Sequence, residues 1–124
     1  MTKTYKELIV WQKSYQLSVL VYEVTKSFPK EEIYALTSQM RRSVVSIPSN
    51  IAEGYCRQHK KEYLQFLQIS FGSGAELETQ LLIAKDLGYI SDKDFEQCKD
   101  LLLEVMKMLN SLIYKVRSSL KSNF

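Results

Sequence analysis

The most constraining feature of this chain is a proline inside an otherwise helical apolar pattern, within residues 34–54. The apolar positions of this segment recur every three or four residues, as on one face of a helix. They are Leu36, Met40, Val44, Ile47 and Ile51. Pro48 interrupts this face, where its ring removes a backbone donor and clashes with the Val44 carbonyl, at a cost of about 3 kcal/mol in an ordinary helix interior. A helix that keeps such a proline must have neighbours that fix its kink.

Helix-ending and helix-starting residues divide the chain into four helices. Phe28-Pro29 ends the first helix, because the residue before a proline is pushed out of the helical conformation. Gly54 and Gly88 can adopt the left-handed conformation that ends a helix, and Ser91 can cap the start of the last one. The helices are predicted at about residues 6–26, 30–54, 57–87 and 92–118. Short connections make neighbouring helices antiparallel, so the sequence predicts an all-α, up-down-up-down four-helix bundle that forms one domain over residues 1–124.

The first helix has more apolar surface than one bundle core needs. Its apolar residues form two sets at helical spacing: Leu8, Trp11, Tyr15, Val19 and Tyr22 in one, and Val10, Leu17, Val21 and Val24 in the other. A helix in a small monomer usually buries a single stripe of this kind. A second stripe must face another neighbour, in the same chain or in a partner, and we therefore expect a closed homo-oligomer.

Six polar residues stand out within the otherwise apolar second and third helices: Arg41, Arg42, Asn50, Glu53, Glu76 and Glu78. Antiparallel pairing of these helices brings Pro48 opposite residues 70–75, where two glycines suggest a close backbone approach. The same register brings both arginines near Glu76 and Glu78. Two interpretations follow, an internal arginine–glutamate network that fixes the register or a cluster that contacts RNA. The network is favoured because its acidic members can neutralise the arginines, and removing Arg42 is then expected to destabilise the bundle.

The residue inventory argues against several classes of function. The single histidine, His59, lies in a polar turn, and no Glu-x-x-His repeat of a di-metal bundle occurs. Cys56 and Cys98 lack the spacing of a zinc or redox motif. No apolar run approaches the roughly 20 residues that cross a bilayer, and the first residues lack a signal-peptide pattern. We therefore expect a cytoplasmic, non-enzymatic protein with no metal, no cofactor and no membrane span.

Charge is distributed unevenly between the two ends of the expected bundle, although the whole chain carries only +3. Residues 1–7, 53–62 and 115–124 hold eight basic and three acidic side chains, a net +5. Residues 23–34 and 85–96 hold four basic and seven acidic side chains, a net −3. The candidate nucleic-acid-binding residues at the basic end are Arg57, Lys60, Lys61, Lys115, Arg117 and Lys121, and the candidate stacking rings are Tyr5, Tyr55 and Tyr63. The alternative interpretation is a solvated end cap without a partner.

The pattern RR…SIPSNIAEG within residues 41–54 resembles the signature of the four-helix-bundle proteins encoded by intervening sequences within 23S rRNA genes. Further similarity lies at Trp11, Tyr22, Phe28-Pro29, Phe66-Leu67, Gly72-Ser73 and Glu76-Leu77-Glu78, so the resemblance covers roughly residues 8–90. Members of that family form rings of five bundles, and the related accessory proteins of diversity-generating retroelements are basic pentamers that engage nucleic acid and reverse transcriptase. The resemblance implies a homo-pentamer that associates with RNA or DNA. The alternative is a protein–protein scaffold or accessory subunit with no direct nucleic-acid role.

Overall fold

Four α-helices follow one another along the chain in the computed structural model, which describes residues 3–121. They are α1 (Ile9–Thr25), α2 (Leu36–Cys56), α3 (Lys60–Asp86) and α4 (Asp92–Lys121). Short 3-10 helices at Tyr5–Glu7 and Lys30–Glu32 precede α1 and α2. No strand occurs in this part of the chain, which confirms the all-α prediction.

Each helix packs against two others around one apolar core. α2 and α4 each contact both α1 and α3, which lie diagonally across from each other. Three contacts show that α2 and α3 are antiparallel: the Ser70 hydroxyl donates to the Ile47 carbonyl at 2.9 Å, the hydroxyls of Ser46 and Ser73 are 2.8 Å apart, and Gly54 lies against Phe66. The most deeply buried side chains come from all four helices: Leu17, Val21, Met40, Val44, Ile47, Ile51, Leu67, Leu77, Leu81, Leu102, Val105 and Leu109. This arrangement is the predicted four-helix bundle.

The first helix begins later than its predicted start at residue 6. The Thr4 hydroxyl accepts a hydrogen bond from the Lys6 amide, and the Glu7 carboxylate accepts one from the Thr4 amide, each at 3.3 Å. This capping box closes a separate 3-10 turn. Leu8 then adopts an extended conformation, so the regular helix starts at Ile9.

The second helix also begins after its predicted start, which was residue 30. The Leu36 amide is in the first turn of α2, where it has no partner within the helix, and it donates to the Glu32 carboxylate at 3.2 Å. The Tyr89 hydroxyl, in the connection between α3 and α4, donates to the same carboxylate at 3.0 Å. Glu32 therefore links two chain connections at the acidic end of the bundle.

The boundary between α2 and α3 differs from the prediction because Gln58, and not Gly54, makes the turn. Gln58 has a φ of 62°, α2 continues past Gly54 to Cys56, and α3 begins at Lys60 instead of residue 57. The prediction that Gly54 ends the helix was wrong. The signals around α4 are confirmed: Gly88 has a φ of 74°, and the Ser91 hydroxyl accepts from the Asp94 amide at 3.1 Å.

Pro48 stays inside α2 because α1 satisfies the carbonyl that the proline leaves free. An ordinary residue at position 48 would donate its amide to the Val44 carbonyl. The Ser18 hydroxyl supplies a replacement donor: its single proton is shared between the Val44 carbonyl, 3.2 Å from the hydroxyl oxygen, and the Ser14 carbonyl of its own helix at 2.9 Å. Val44 and Pro48 are both buried, and an unsatisfied carbonyl there would cost about 1–3 kcal/mol. The neighbour that accommodates the proline is therefore α1.

The glycines of α3 do not mark a close approach to α2, contrary to the prediction. Ser73 faces α2, where its Oγ lies 2.8 Å from Ser46 Oγ. A Cβ added at Gly74 would collide with Met106 of α4, and one added at Gly72 would meet open space. The close approach of α2 and α3 occurs at Gly54 instead, where an added Cβ would lie 2.7 Å from the Cβ of Phe66.

Two glycine-to-alanine substitutions test this packing as a matched pair. Gly54→Ala should lower the free energy of unfolding by about 1–3 kcal/mol, because the new methyl group overpacks the contact with α3. Gly72→Ala should raise it by up to about 1 kcal/mol, because alanine is the better helix former and meets no neighbour. Urea unfolding followed by circular dichroism measures both. A Gly54→Ala protein as stable as the wild type would show that the two helices do not approach closely there.

Candidate functional site

The basic end of the bundle is assembled from three chain segments that the fold brings together. The Lys60 ammonium contacts the Ser119 hydroxyl, which places the first turn of α3 beside the last turns of α4. The N-terminal segment also lies at this end, because Lys3 and Tyr5 line a surface pocket together with Tyr55 at the end of α2. Within residues 3–121 this end keeps all eight of its basic and all three of its acidic side chains, a net +5.

The cations at this end differ in how far their charge is already engaged. Arg57 donates to the Glu53 carboxylate at 2.9 Å and its guanidinium lies 5.1 Å from the centre of the Phe66 ring. The hydrogen bond to Glu53 raises the pKa of Arg57. The other five cations of the candidate set are exposed, and none of them makes an ion pair within the described part of the chain: Lys60, Lys61, Lys115, Arg117 and Lys121.

The three candidate stacking rings are engaged in contacts inside the protein. Tyr55 and Tyr63 meet edge to face with their ring centres 6.0 Å apart, and Tyr5 meets Trp11 in the same way at 5.4 Å. Burial raises the pKa of Tyr63 to about 12. These rings therefore stabilise the end of the bundle and leave electrostatics as the main means by which it can attract a ligand.

The predicted arginine–glutamate network is not formed in the described residues. Consecutive helical residues point about 100° apart, and the two arginines accordingly face different helices. Arg41 turns to α1, where its Nε donates to the Thr25 hydroxyl at 3.0 Å and its guanidinium lies 4.8 Å from the centre of the Tyr22 ring. Arg42 is exposed beside α3.

The other members of that predicted network have separate contacts. Asn50 donates its side-chain amide to the carbonyl of Ser46 at 2.8 Å and to its hydroxyl at 2.9 Å. Glu53 pairs with Arg57. Glu76 and Glu78 are exposed, and neither makes an ion pair with an arginine of residues 3–121. The expected pairing was wrong because register alone does not say which way each side chain turns around its helix.

A polar groove runs between α2 and α3 with a volume of about 600 Å³. Its lining consists of Tyr34, Ser38, Gln39, Arg42, Ser43, Ser46, Ser73, Glu76 and Gln80. Gln80 is 7% exposed, and its Oε1 has no hydrogen-bond partner. Gln80 was not among the residues predicted from the sequence, and Ser46 and Ser73 entered only through the family resemblance. Each lies on the α2–α3 contact and could have been found by following the register of Arg42 and Glu76 along both helices.

Two apolar grooves flank the exposed side of α1. The groove between α1 and α2 has a volume of about 490 Å³ and is lined chiefly by Tyr5, Trp11, Tyr15, Val19, Tyr22, Val45, Pro48 and Ala52. The groove between α1 and α4 has a volume of about 750 Å³, and its apolar lining is Leu8, Ile9, Val10, Met108, Leu112 and Tyr114. The stripe of α1 left outside the core is therefore the one that carries Tyr15, Val19 and Tyr22.

Both cysteines of residues 3–121 are free thiols, and no metal site is formed there. No group of three or more histidine, cysteine or acidic side chains in this range is placed to hold a metal ion. Cys56 is exposed, whereas burial raises the pKa of the Cys98 thiol to about 11. None of the described helices is sufficiently long and apolar to span a membrane.

The family model described as 23S rRNA-intervening sequence protein matches residues 6–111. The chain belongs to this family. The match includes α1, α2, α3 and most of α4. It therefore extends well beyond the signature residues of α2. A protein with unknown function from the S23 ribosomal protein family of Bacteroides thetaiotaomicron VPI-5482 has a similar crystal structure, with a TM-score of 0.79 and 26% sequence identity over 86% of this chain and 96% of that one. A search of curated proteins found no match.

The adjacent arginines of α2 provide a matched pair that tests their different surroundings. Arg41→Ala should lower the free energy of unfolding by about 1 kcal/mol or more, because it removes both the Thr25 hydrogen bond and the packing on Tyr22. Arg42→Ala should change it by less than about 0.5 kcal/mol, as expected for an exposed residue without a partner. Thermal and urea unfolding measure both values. A larger loss of unfolding free energy for Arg42→Ala than for Arg41→Ala would support the arginine–glutamate network after all.

Proposed function

We propose that this member of the 23S rRNA-intervening sequence protein family is a non-enzymatic, self-assembling bundle that binds RNA or DNA through the basic ends of its subunits. The observation that carries the proposal is that five of the candidate cations at one end are exposed and make no ion pair within the described residues: Lys60, Lys61, Lys115, Arg117 and Lys121. The opposite end is acidic, so the bundle has a direction along its axis. Assembly with all basic ends on the same side would add the charges of the subunits and give that face a strong positive electrostatic potential.

The uncovered face of α1 supports self-assembly. Val19 is 51% exposed and Tyr15 is 54% exposed, although both lie in the middle of a helix among other apolar side chains. Contiguous apolar surface of this kind marks an interaction site in soluble proteins. Because α1 has an apolar groove on each side, one groove of a subunit can pack against the other groove of the next subunit.

Such a head-to-tail contact favours a closed ring. The two grooves lie on adjacent sides of a four-sided bundle, so each contact turns the chain of subunits through roughly a right angle. A rotation of about this size between successive subunits gives a closed ring of about four or five copies. We propose a pentamer, in agreement with the rings that the family resemblance implies, with the helix axes roughly parallel to the symmetry axis.

Substitution on the exposed face of α1 tests the assembly. Val19→Glu should convert the oligomer to monomers, because a carboxylate would be buried in the subunit contact without a partner. Leu82→Glu is the matched control: Leu82 is 50% exposed on α3 and lines neither of the two α1 grooves. Multi-angle light scattering should give about five times 14.5 kDa for the wild type and for Leu82→Glu, and 14.5 kDa for Val19→Glu. A monomeric wild type would contradict the proposal.

The charge of the basic end supports binding to nucleic-acid backbones. A net +5 per subunit becomes about +25 on one face of a pentamer, which is sufficient to attract phosphates and release their counterions. The candidate stacking rings make contacts within the protein, and the sequence contains no motif for contacting base edges. Binding should therefore depend little on sequence and strongly on salt.

Charge substitutions at the two ends test this binding. Lys61→Gln, Lys115→Gln and Lys121→Gln combined should weaken binding to fluorescent single-stranded RNA and DNA by about tenfold or more at low salt, since three phosphate contacts per subunit are lost. The control combines Lys26→Gln, Lys30→Gln and Lys93→Gln, which remove the same charge from the acidic end. Fluorescence anisotropy at about 50 mM and about 200 mM salt should show a steep loss of wild-type affinity. A wild type that fails to bind at low salt, or two variants that lose affinity equally, would overturn the proposal.

A protein–protein scaffold is the second candidate function, and the apolar groove between α1 and α2 favours it. A groove of about 490 Å³ lined by aromatic and aliphatic side chains can accept the apolar face of a helix from another protein. A wild type that is monomeric and does not bind nucleic acid would support this function. For either function we propose a cytoplasmic location, because Cys56 and Cys98 are both free thiols.

A further inference from the structure

The polar groove between α2 and α3 contains opposite charges that face each other without pairing. Arg42 on α2 and Glu76 on α3 both line the groove. Arg42 and Glu76 do not form an ion pair with each other. Both side chains are therefore available to other groups, one as a donor of hydrogen bonds to an anion and the other as an acceptor from a cation.

The wall of the groove adds an unsatisfied acceptor. Gln80 lies on α3 one helical turn beyond Glu76, is 93% buried, and has a side-chain oxygen without a hydrogen-bond partner. Thr37 of α2 lies at the same level of the bundle as Gln80 of α3, because each is ten residues away from the contact between Ile47 and Ser70. The buried hydroxyl of Thr37 also has no hydrogen-bond partner. Buried polar atoms without partners are rare and require an explanation. Gln80 lines the groove, and a half-turn of its side-chain amide exchanges the positions of its oxygen and its nitrogen.

The floor of the groove adds an uncommitted donor. Ser46 and Ser73 share one hydrogen bond between their hydroxyls at 2.8 Å, and Asn50 donates to Ser46 at 2.9 Å. Whichever serine donates to the other, one hydroxyl proton of the pair stays free. That proton lies one helical turn along α2 and α3 from Arg42 and Glu76, on the side away from Gln80.

We infer that this groove binds a small zwitterion of the α-amino acid type. The carboxylate is held by Arg42 with the free serine hydroxyl, and the ammonium is held by Glu76 with the Gln80 oxygen. The groove carries one cation and one carboxylate, so it matches a ligand with one charge of each sign. A phosphate dianion fits poorly, because Glu76 would repel it and only one cation would neutralise it. The volume of about 600 Å³ lies within the range of small-molecule sites and leaves room for an amino-acid side chain.

Binding can be tested on the full-length protein with the twenty L-amino acids as probes. Thermal unfolding at millimolar concentrations should show at least one amino acid that raises the melting temperature, and isothermal titration calorimetry should then give its affinity. The deaminated acid and the decarboxylated amine of the same compound should each bind about tenfold or more weakly, because each keeps only one of the two charged contacts. Binding of none of the twenty, or equal binding of the acid alone, would overturn the inference.

Substitutions identify the groove as the site. Arg42→Gln and Glu76→Gln should each weaken the affinity about tenfold or more, and because both residues are exposed neither should unfold the protein. Glu78→Gln is the matched control, since it removes the same charge from an exposed position of α3 outside the groove, and it should change affinity less than about twofold. Nuclear magnetic resonance should also show the Gln80 side-chain amide signals shifting on addition of the amino acid. Unchanged affinity in Glu76→Gln, or unchanged Gln80 signals, would contradict the assignment.

Discussion

The bundle depends on one hydrogen bond between helices, from the Ser18 hydroxyl to the Val44 carbonyl. Pro48 deprives that carbonyl of its partner within α2, and both Val44 and Pro48 are buried residues. The Ser18 hydroxyl, 3.2 Å from the Val44 carbonyl oxygen, supplies the missing donor. The contact also fixes how α1 lies against α2, because a hydroxyl on a short side chain reaches a backbone carbonyl only when the two helices are close.

The signature of α2 is consequently explained mainly by packing. Ser46 and Asn50 bond to each other and Ser46 to Ser73, and Gly54 leaves room for Phe66. With these residues engaged inside the bundle, the features available for function are at its surface. They are the basic end, the uncovered face of α1 and the polar groove beside Arg42. Proteins with the same core can thus differ in function by changing surface residues that the packing does not constrain.

Much of the fold was predictable because its signals are local and periodic. The apolar spacing identified four helices, and Gly88 and Ser91 marked the turn before α4, since each acts through its own backbone or hydroxyl. The helix starts near residues 6 and 30 were misplaced because Thr4, Glu7 and Glu32 form side-chain bonds that compete with helical ones. The arginine contacts were mispredicted for a different reason. The register places residues at one level of the bundle, but a rotation of about 100° between neighbours decides which helix each side chain meets.

A double-mutant cycle between Ser18→Ala and Pro48→Ala tests the central claim most directly. Alanine at position 48 restores an amide donor to the Val44 carbonyl, so the Ser18 hydroxyl is no longer required there. Urea unfolding should show that Ser18→Ala costs about 1–3 kcal/mol beside Pro48 and at least about 1 kcal/mol less beside Ala in the Pro48→Ala background. An equal cost in both backgrounds would show that Ser18 does not replace the missing amide.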